Sequence, residues 1–185
     1  DNCIGAVIPV ICCNNVTSNV DSATAYVGAN DIEAGIMEAE YIVEMIGGAG
    51  NIAIIEGPFG HSAQVARQEG IQQVLADYPD CEIVLDDTAN WNRDEAMQLV
   101  ENWLAGGTQI DAIICHNDIM AMGALQACQD SGLDIPIIGI DATYDALCAV
   151  QDGTLAADVY QDVYGQAEEA FNVCMRILNG EEYEQ

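Results

Sequence analysis

Lysine is absent from this 185-residue chain, and arginine occurs only at Arg67, Arg93 and Arg176. Against these 3 cations stand 31 carboxylates, a formal net charge of −28. Nucleic acid is thereby excluded as a partner, because neutralising phosphates needs clustered Lys or Arg. Anionic membrane surfaces are disfavoured for the same reason. Any site that needs a permanent bidentate donor must draw on one of these arginines. Also missing is an apolar run long enough to span a bilayer, so the chain is expected to be soluble and globular. There is no G-x-G-x-x-G, no P-loop and no G-x-S-x-G, and no nucleophile–base pair can be named, so an enzyme is not expected. The 8 cysteines form no C-x-x-C pair, and neither His61 nor His116 stands at metal-ligand spacing from them. No metal or other cofactor is expected. Cys12, Cys115, Cys128 and Cys174 lie in apolar runs and are expected to be buried thiols.

What is present is alternation. Residues 4–13 read as a strand containing Pro9, ended by Asn14 and Asn15; 17–22 read as a loop and 25–28 as a short strand. Asp31 is a candidate N-cap for a helix through Met45, with Ile32, Ile36, Ala39, Ile42, Val43 and Ile46 as its apolar stripe. Strands are expected over 51–56, 81–85, 112–115, 135–141 and 155–160. Helices are expected over 61–76, 93–104, from Ile119 to a stop at Gly132, over 144–151 and over 164–178. The segment 86–92 reads as a loop, and the acidic tail 179–185 as fraying. This order argues for an α/β fold with a doubly wound parallel sheet.

The densest signal is residues 111–128. An apolar run of strand length ends in His116, Asn117 and Asp118, and a small-residue helical pattern follows. Polar residues between a parallel strand and its helix lie at the carboxyl edge of the sheet, where open α/β sheets bind ligands. Asn14, Asn15, Asp31, Phe59, Trp91, Asn117, Asp141 and Gln161 all fall at expected strand ends, and Arg67 lies early in the helix after the Phe59 loop. Amides, carboxylates and an arginine beside an aromatic ring are the inventory of a sugar or polyol site. The polar groups pair with hydroxyls, and the ring packs on the C–H face. Within 116–118, Asn117 is expected to serve the ligand, Asp118 to cap the helix, and His116 to do neither. His61 is expected to be incidental, Arg93 to start a helix, and Arg176 to sit on a solvated face.

Longer stretches carry a resemblance. Ile8-Pro9-Val10, Val27-Gly28-Ala29-Asn30-Asp31 with Gly35, and Gly50-Asn51-Ile52-Ala53-Ile54-Ile55-Glu56-Gly57 are followed by Ser62 through Arg67 with Gly70. Then come Asn117-Asp118 with Gly123-Ala124-Leu125, Gly139-Ile140-Asp141, and Asp152-Gly153 leading to Gln161. In this order they resemble the periplasmic sugar-binding proteins of ABC transporters, of the ribose-binding type. That resemblance implies two flavodoxin-like lobes closing on a ligand. Residues 30–161 would be a complete second lobe, and 1–29 with 162–185 pieces of a first lobe whose remaining segment is missing. Hinges would fall near 29–31 and 161–162. It implies Arg67 as a ligand-clamping arginine, Asn117 and Asp141 as hydroxyl-binding groups, Gln161 as a hinge glutamine that touches ligand, and Trp91 as the stacking aromatic. The ribose type carries an Asp-Arg pair where this chain has Asn14 and Asn15, and Asn where it has Asp31, so a ligand other than ribose is implied.

The expected function is therefore the solute-binding component of an ABC importer, passing a monosaccharide or related polyol to membrane permease subunits. The alternative is the effector-binding core of a lactose-repressor-type transcriptional regulator, which would need an upstream helix-turn-helix. No signal peptide is visible and the chain begins abruptly, as though a segment precedes it; an extracytoplasmic location is expected from the resemblance.

Overall fold

The computed structural model describes residues 2–183. Backbone contacts divide them into two compact units, one comprising Asp31–Gln161 and the other the described residues on either side.

The smaller unit contains helix α1 (Asn2–Gly5), strands β1 (Ile11–Cys13) and β2 (Ala25–Val27), which pair in parallel, and helix α7 (Val163–Asn179). A 3-10 turn over Val20–Ser22 interrupts the expected loop. The strand expected over 4–13 is thus only three residues long. Val7 turns the chain at φ 58°, and Pro9 has no N–H to offer a neighbouring strand. Gly180 ends α7 in the left-handed region, its N–H bonding back to Ile177. Of the expected tail, residues 184 and 185 lie outside the described region.

In the larger unit α2 (Asp31–Met45) precedes β3 (Gly50–Glu56), α3 (Ser62–Leu75), β4 (Cys81–Thr88) and α4 (Arg93–Ala105). There follow β5 (Ala112–Cys115), α5 (Asp118–Asp130), β6 (Ile137–Ile140), α6 (Tyr144–Gln151) and β7 (Ala157–Val159). The strands pair in parallel in the order β4-β3-β5-β6-β7. Counted within the unit this is 2-1-3-4-5, the flavodoxin-like order, whose switch point lies between β3 and β5.

Side-chain alternation explains why the sheet is wound on both faces. Ile52, Ile54, Ala112, Ile114 and Ile138 pack with Ala39, Ile42 and Val43 of α2 and Ile71 and Leu75 of α3. Their neighbours Ala53, Ile55, Ile113, Cys115 and Ile137 point the other way, onto Ala96 and Val100 of α4, Met120 of α5 and Ala146 of α6. Nearly unbroken apolar strands are what a parallel sheet buried on both faces requires.

Several boundaries differ from expectation. β4 runs on to Thr88 because its ladder with β3 continues to the Glu56–Thr88 pairing. The strands expected over 135–141 and 155–160 are trimmed to four and three residues, where pairing with neighbours stops. Cys115 and Cys128 are buried, but Cys12 and Cys174, in the smaller unit, are half-buried; all eight cysteines are free thiols. Among the described residues no helix is long and apolar enough to cross a membrane.

Candidate ligand-binding site

The site is built at the switch point, and Arg67 is its centre. Its side chain is buried, though it carries a permanent charge. Two helices make that possible by crossing at contact distance. A Cβ on Gly35 of α2 would lie 2.1 Å from the Arg67 carbonyl oxygen, and one on Gly70 of α3 would lie 2.1 Å from that of Ile32. The absence of both side chains lets the two backbones touch, which brings the first turn of α2 to the guanidinium. Asp31 Oδ1 then accepts from Arg67 Nε at 2.9 Å and lies 2.9 Å from NH2. NH1 donates to the carbonyl oxygen of His116, the first residue past β5. Arginine has five N–H donors, so some on the terminal nitrogens remain for a ligand. Asp31 was expected as a helix cap. It is instead the first helical residue, and its carboxylate holds the arginine.

Trp91 covers one flank. Its indole lies with the Arg67 Cζ 5.9 Å from the ring centroid, a cation–π geometry. His61 meets it edge-on, with centroids 5.5 Å apart and an interplanar angle of 83°. The loop after β4 aims the ring. Thr88 Oγ1 donates to the Gly57 carbonyl at 2.7 Å, and Asn90 and Trp91 both take positive φ, 54° and 60°. The indole then lies against Gly57, where a Cβ would stand 2.1 Å from the ring. Trp91 also packs against the α4–α5 side of the core. The ring thus touches both the core and Arg67. His61 caps α3 and buttresses the indole, a role with no trace in its spacing along the chain.

The cap expected of Asp118 is made by Asn117 instead. Asn117 is the N-cap of α5, its Oδ1 accepting from Met120 N at 3.0 Å, which leaves its amide NH2 as the group available to a ligand. Asp118 makes no cap; its Oδ2 accepts from Thr143 N at 2.7 Å. Extended backbone at Asn117 (φ −160°) aligns its side chain with the first turn, whereas Asp118 is already helical. His116 is fully buried, and burial together with the Arg67 charge pushes its pKa down to about 3, so the ring is neutral.

Asp141 follows β6 at φ 132°, and Ala142 continues the left-handed turn at φ 57°. Burial raises the Asp141 pKa to about 6, opposed by attraction to Arg67 and reinforced by Asp118 and Asp31. Gln161, the last residue of the larger unit, is buried. Phe59 is exposed on the loop after β3. Asn14 and Asn15 belong to the smaller unit; both are exposed, and Asn14 takes φ 67° after β1. The structure therefore brings together Arg67, Asp31 and Trp91 by direct contact, with Asp141 within electrostatic reach of the arginine.

One buried acid escaped the sequence reading. Glu38 of α2 is wholly inside, neither carboxyl oxygen has a hydrogen-bond partner, and burial raises its pKa well above the carboxylate range. Its signal was positional. The buried face of α2 is Gly35, Glu38, Ala39, Ile42 and Val43, a stripe set by the small Gly35 as much as by the isoleucines. Among the described residues no group of His, Cys, Asp and Glu is arranged to hold a metal ion.

Residues 1–182 match the family profile of the periplasmic binding protein domain. The chain belongs to this family. It is 38% identical over 177 residues to a xylitol-binding protein of Mycolicibacterium smegmatis, covering 95% of this chain and 50% of that protein. It is 36% identical over 185 residues to a putative rhizopine-binding protein of Rhizobium meliloti, covering 96% of this chain and 60% of that protein. An ABC transporter solute-binding protein of Bacillus halodurans, solved with bound myo-inositol, superposes with a TM-score of 0.95 at 41% identity. That match covers 99% of this chain and 64% of the other. The chain thus spans half to about two-thirds of the length of these periplasmic binding proteins, which are solute-binding proteins rather than enzymes.

Proposed function

We propose that this periplasmic binding protein is the solute receptor of an ABC importer, and that it binds a monosaccharide or related polyol outside the cytoplasm and passes it to a membrane permease. The observation that carries the reading is the buried Arg67, held by Asp31 and the His116 carbonyl beside the Trp91 ring. A guanidinium fixed in this way needs no reordering to donate to adjacent hydroxyls, and pre-organisation of that kind raises affinity. Trp91 offers a ring face to C–H groups, and Asp141 and the Asn117 amide supply acceptors and donors. Gln161, Phe59, and Asn14 and Asn15 of the smaller unit are proposed as further ligand contacts, with hinges near 29–31 and 161–162 separating two lobes. Names of related proteins favour polyols and sugars over charged solutes. A site whose donors and acceptors are buried rejects a solute lacking the matching hydroxyl, because one of its own groups is then left unpaired.

The test is a thermal-shift screen of the full-length protein against myo-inositol, xylitol, D-ribose and D-allose, because a ligand that binds only the native state raises its apparent stability. At least one should raise the melting temperature, and Arg67→Ala should abolish that rise. A hit that survives Arg67→Ala unchanged would remove the site from the position assigned.

A further inference from the structure

Around the turn that follows Asp141 lies a second arrangement of acids that ligand contact does not explain. The turn after β6 is strained, with two successive non-glycine residues, Asp141 and Ala142, at positive φ. Such backbone persists only where the surroundings over-determine it. Here two carboxylates from different elements do so. Asp158 Oδ1, on β7, accepts from Ala142 N at 3.0 Å, and Asp118 Oδ2, on α5, accepts from Thr143 N at 2.7 Å. The oxygens not used on the turn, Asp118 Oδ1 and Asp158 Oδ2, are buried and receive no hydrogen bond from any other group. Yet the two carboxyls are seated on the successive N–H groups of one turn, which brings them side by side. A Cβ on Gly139 would stand 2.6 Å from Asp118 Oδ1, so the glycine of β6 is what admits that carboxyl.

We propose that Asp118 and Asp158 share one proton and together clamp the Asp141–Thr143 turn, acting as positioning residues that set where the Asp141 carboxyl meets the ligand. The functional half of this assignment rests on the reading of Asp141 as a ligand contact. Two buried carboxylates seated on adjacent N–H groups of one turn cannot both be ionised without strong repulsion, whereas one shared proton supplies the donor that both spare oxygens lack. Burial raises both groups, Asp118 to about 7, and their interaction couples the two titrations. The charges around the pair do not offer a substitute donor. Glu38 of α2 is buried beside it with no partner of its own, Asp141 adds negative charge from the turn, and Arg67 of α3 is committed to Asp31 and His116. Arg93 and Asp145 line the open cavity on the outer side of Asp118 and face solvent. Loss of the proton sets two buried negative charges against each other and releases the turn. Ligand affinity should therefore fall as pH rises through neutrality.

The experiment has two arms on the full-length protein. In the ligand-free state, amide exchange at Ala142 and Thr143, corrected for intrinsic rates, should lose protection by about tenfold between about pH 6 and about pH 8.5. In Asp158→Asn the amide oxygen still accepts from Ala142 and its NH2 replaces the shared proton permanently, so protection should be flat over the same range. Asp158→Ala should be unprotected throughout. In the second arm, calorimetry with myo-inositol, xylitol and D-ribose should show wild-type affinity for the binding probe falling at least about fivefold over that pH range, and D158N affinity unchanged. Wild-type protection that does not vary with pH overturns the clamp, even if no variant folds. So does a D158N curve that follows the wild type. Failure of all three probes to bind at any pH would overturn the link to Asp141 as a ligand contact, while the exchange arm still decides the shared proton.

Discussion

Replacing Arg67 by Met removes the charge and keeps most of the packing volume. It leaves Asp31 with a carboxylate that is 13% exposed and without a partner, and it strips the His116 carbonyl of its donor. Breaking a buried pair from one side costs about 3–5 kcal/mol, because the remaining charge stays desolvated. Partial exposure of Asp31 admits some solvent screening, so the expected loss is about 2–4 kcal/mol. Removing Asp31's charge as well, in Asp31→Asn with Arg67→Met, should recover part of it, since no stranded charge remains. The double-mutant cycle should then show a coupling energy above about 1 kcal/mol. Arg67→Lys should fall between, because one ammonium cannot replace a fork that reaches Asp31 and the His116 carbonyl at once. Urea denaturation followed by far-UV circular dichroism on the full-length wild type, Arg67→Met, Asp31→Asn, the double variant and Arg67→Lys gives these values. If Arg67→Met unfolds within about 0.5 kcal/mol of the wild type, or the cycle is additive within error, the arginine is not held as described and the pre-organised donor is lost with it.

Other expectations follow from the same geometry. Gly57→Ala should push Trp91 off its seat and shift tryptophan emission, Trp103 being the only other indole in the chain, while Gly5→Ala, on a helix and with a Cβ that meets nothing within 4 Å, should leave the emission unchanged. Asn117→Ala should cost about 0.5–2 kcal/mol from loss of the α5 cap, and Asn117→Asp should recover most of that stability without restoring the amide NH2. Raised carboxyl pKa values, about 7 for Glu56 and Asp118 and about 6 for Asp141, mean that the folded state binds protons more tightly than the unfolded one. The stability so gained is complete below about pH 4 and declines as pH rises through about 6 to 7, by about 1–3 kcal/mol for each well-buried group. Surface repulsion from the net charge of −28 works in the same direction but is screened by salt, so denaturation at high ionic strength against pH isolates the buried part. A profile that rises from pH 4 to 7 under those conditions would contradict the buried acids. His116, neutral in the fold, should show no imidazole titration by NMR above about pH 4.

The chain by itself determined the fold class and the neighbourhood of the site. Ile52 to Ile55 and Ala112 to Cys115 read as strands buried on both faces and pack that way, and their alternation with helical segments argued for a doubly wound sheet. Strand ends read from the sequence place Arg67, Trp91, Asn117 and Asp141 at one edge, because local periodicity and topology are written in adjacent residues. Tertiary structure alone decided which polar group does which work. Asp31 binds Arg67 only because Gly35 and Gly70 let α2 and α3 touch, 35 residues apart in sequence. Asn117 rather than Asp118 caps α5 because of one extended φ angle, and Asp118 is thereby released to reach Thr143, 25 positions away. Nothing in the sequence sets Glu38 and Asp158 apart from the other acids of so acidic a chain, and Asp118 reads as a helix cap. Burial is a property of the assembled sheet and helices, and it is burial that makes Glu38, Glu56, Asp118, Asp141 and Asp158 hold protons more tightly than an exposed carboxylate would.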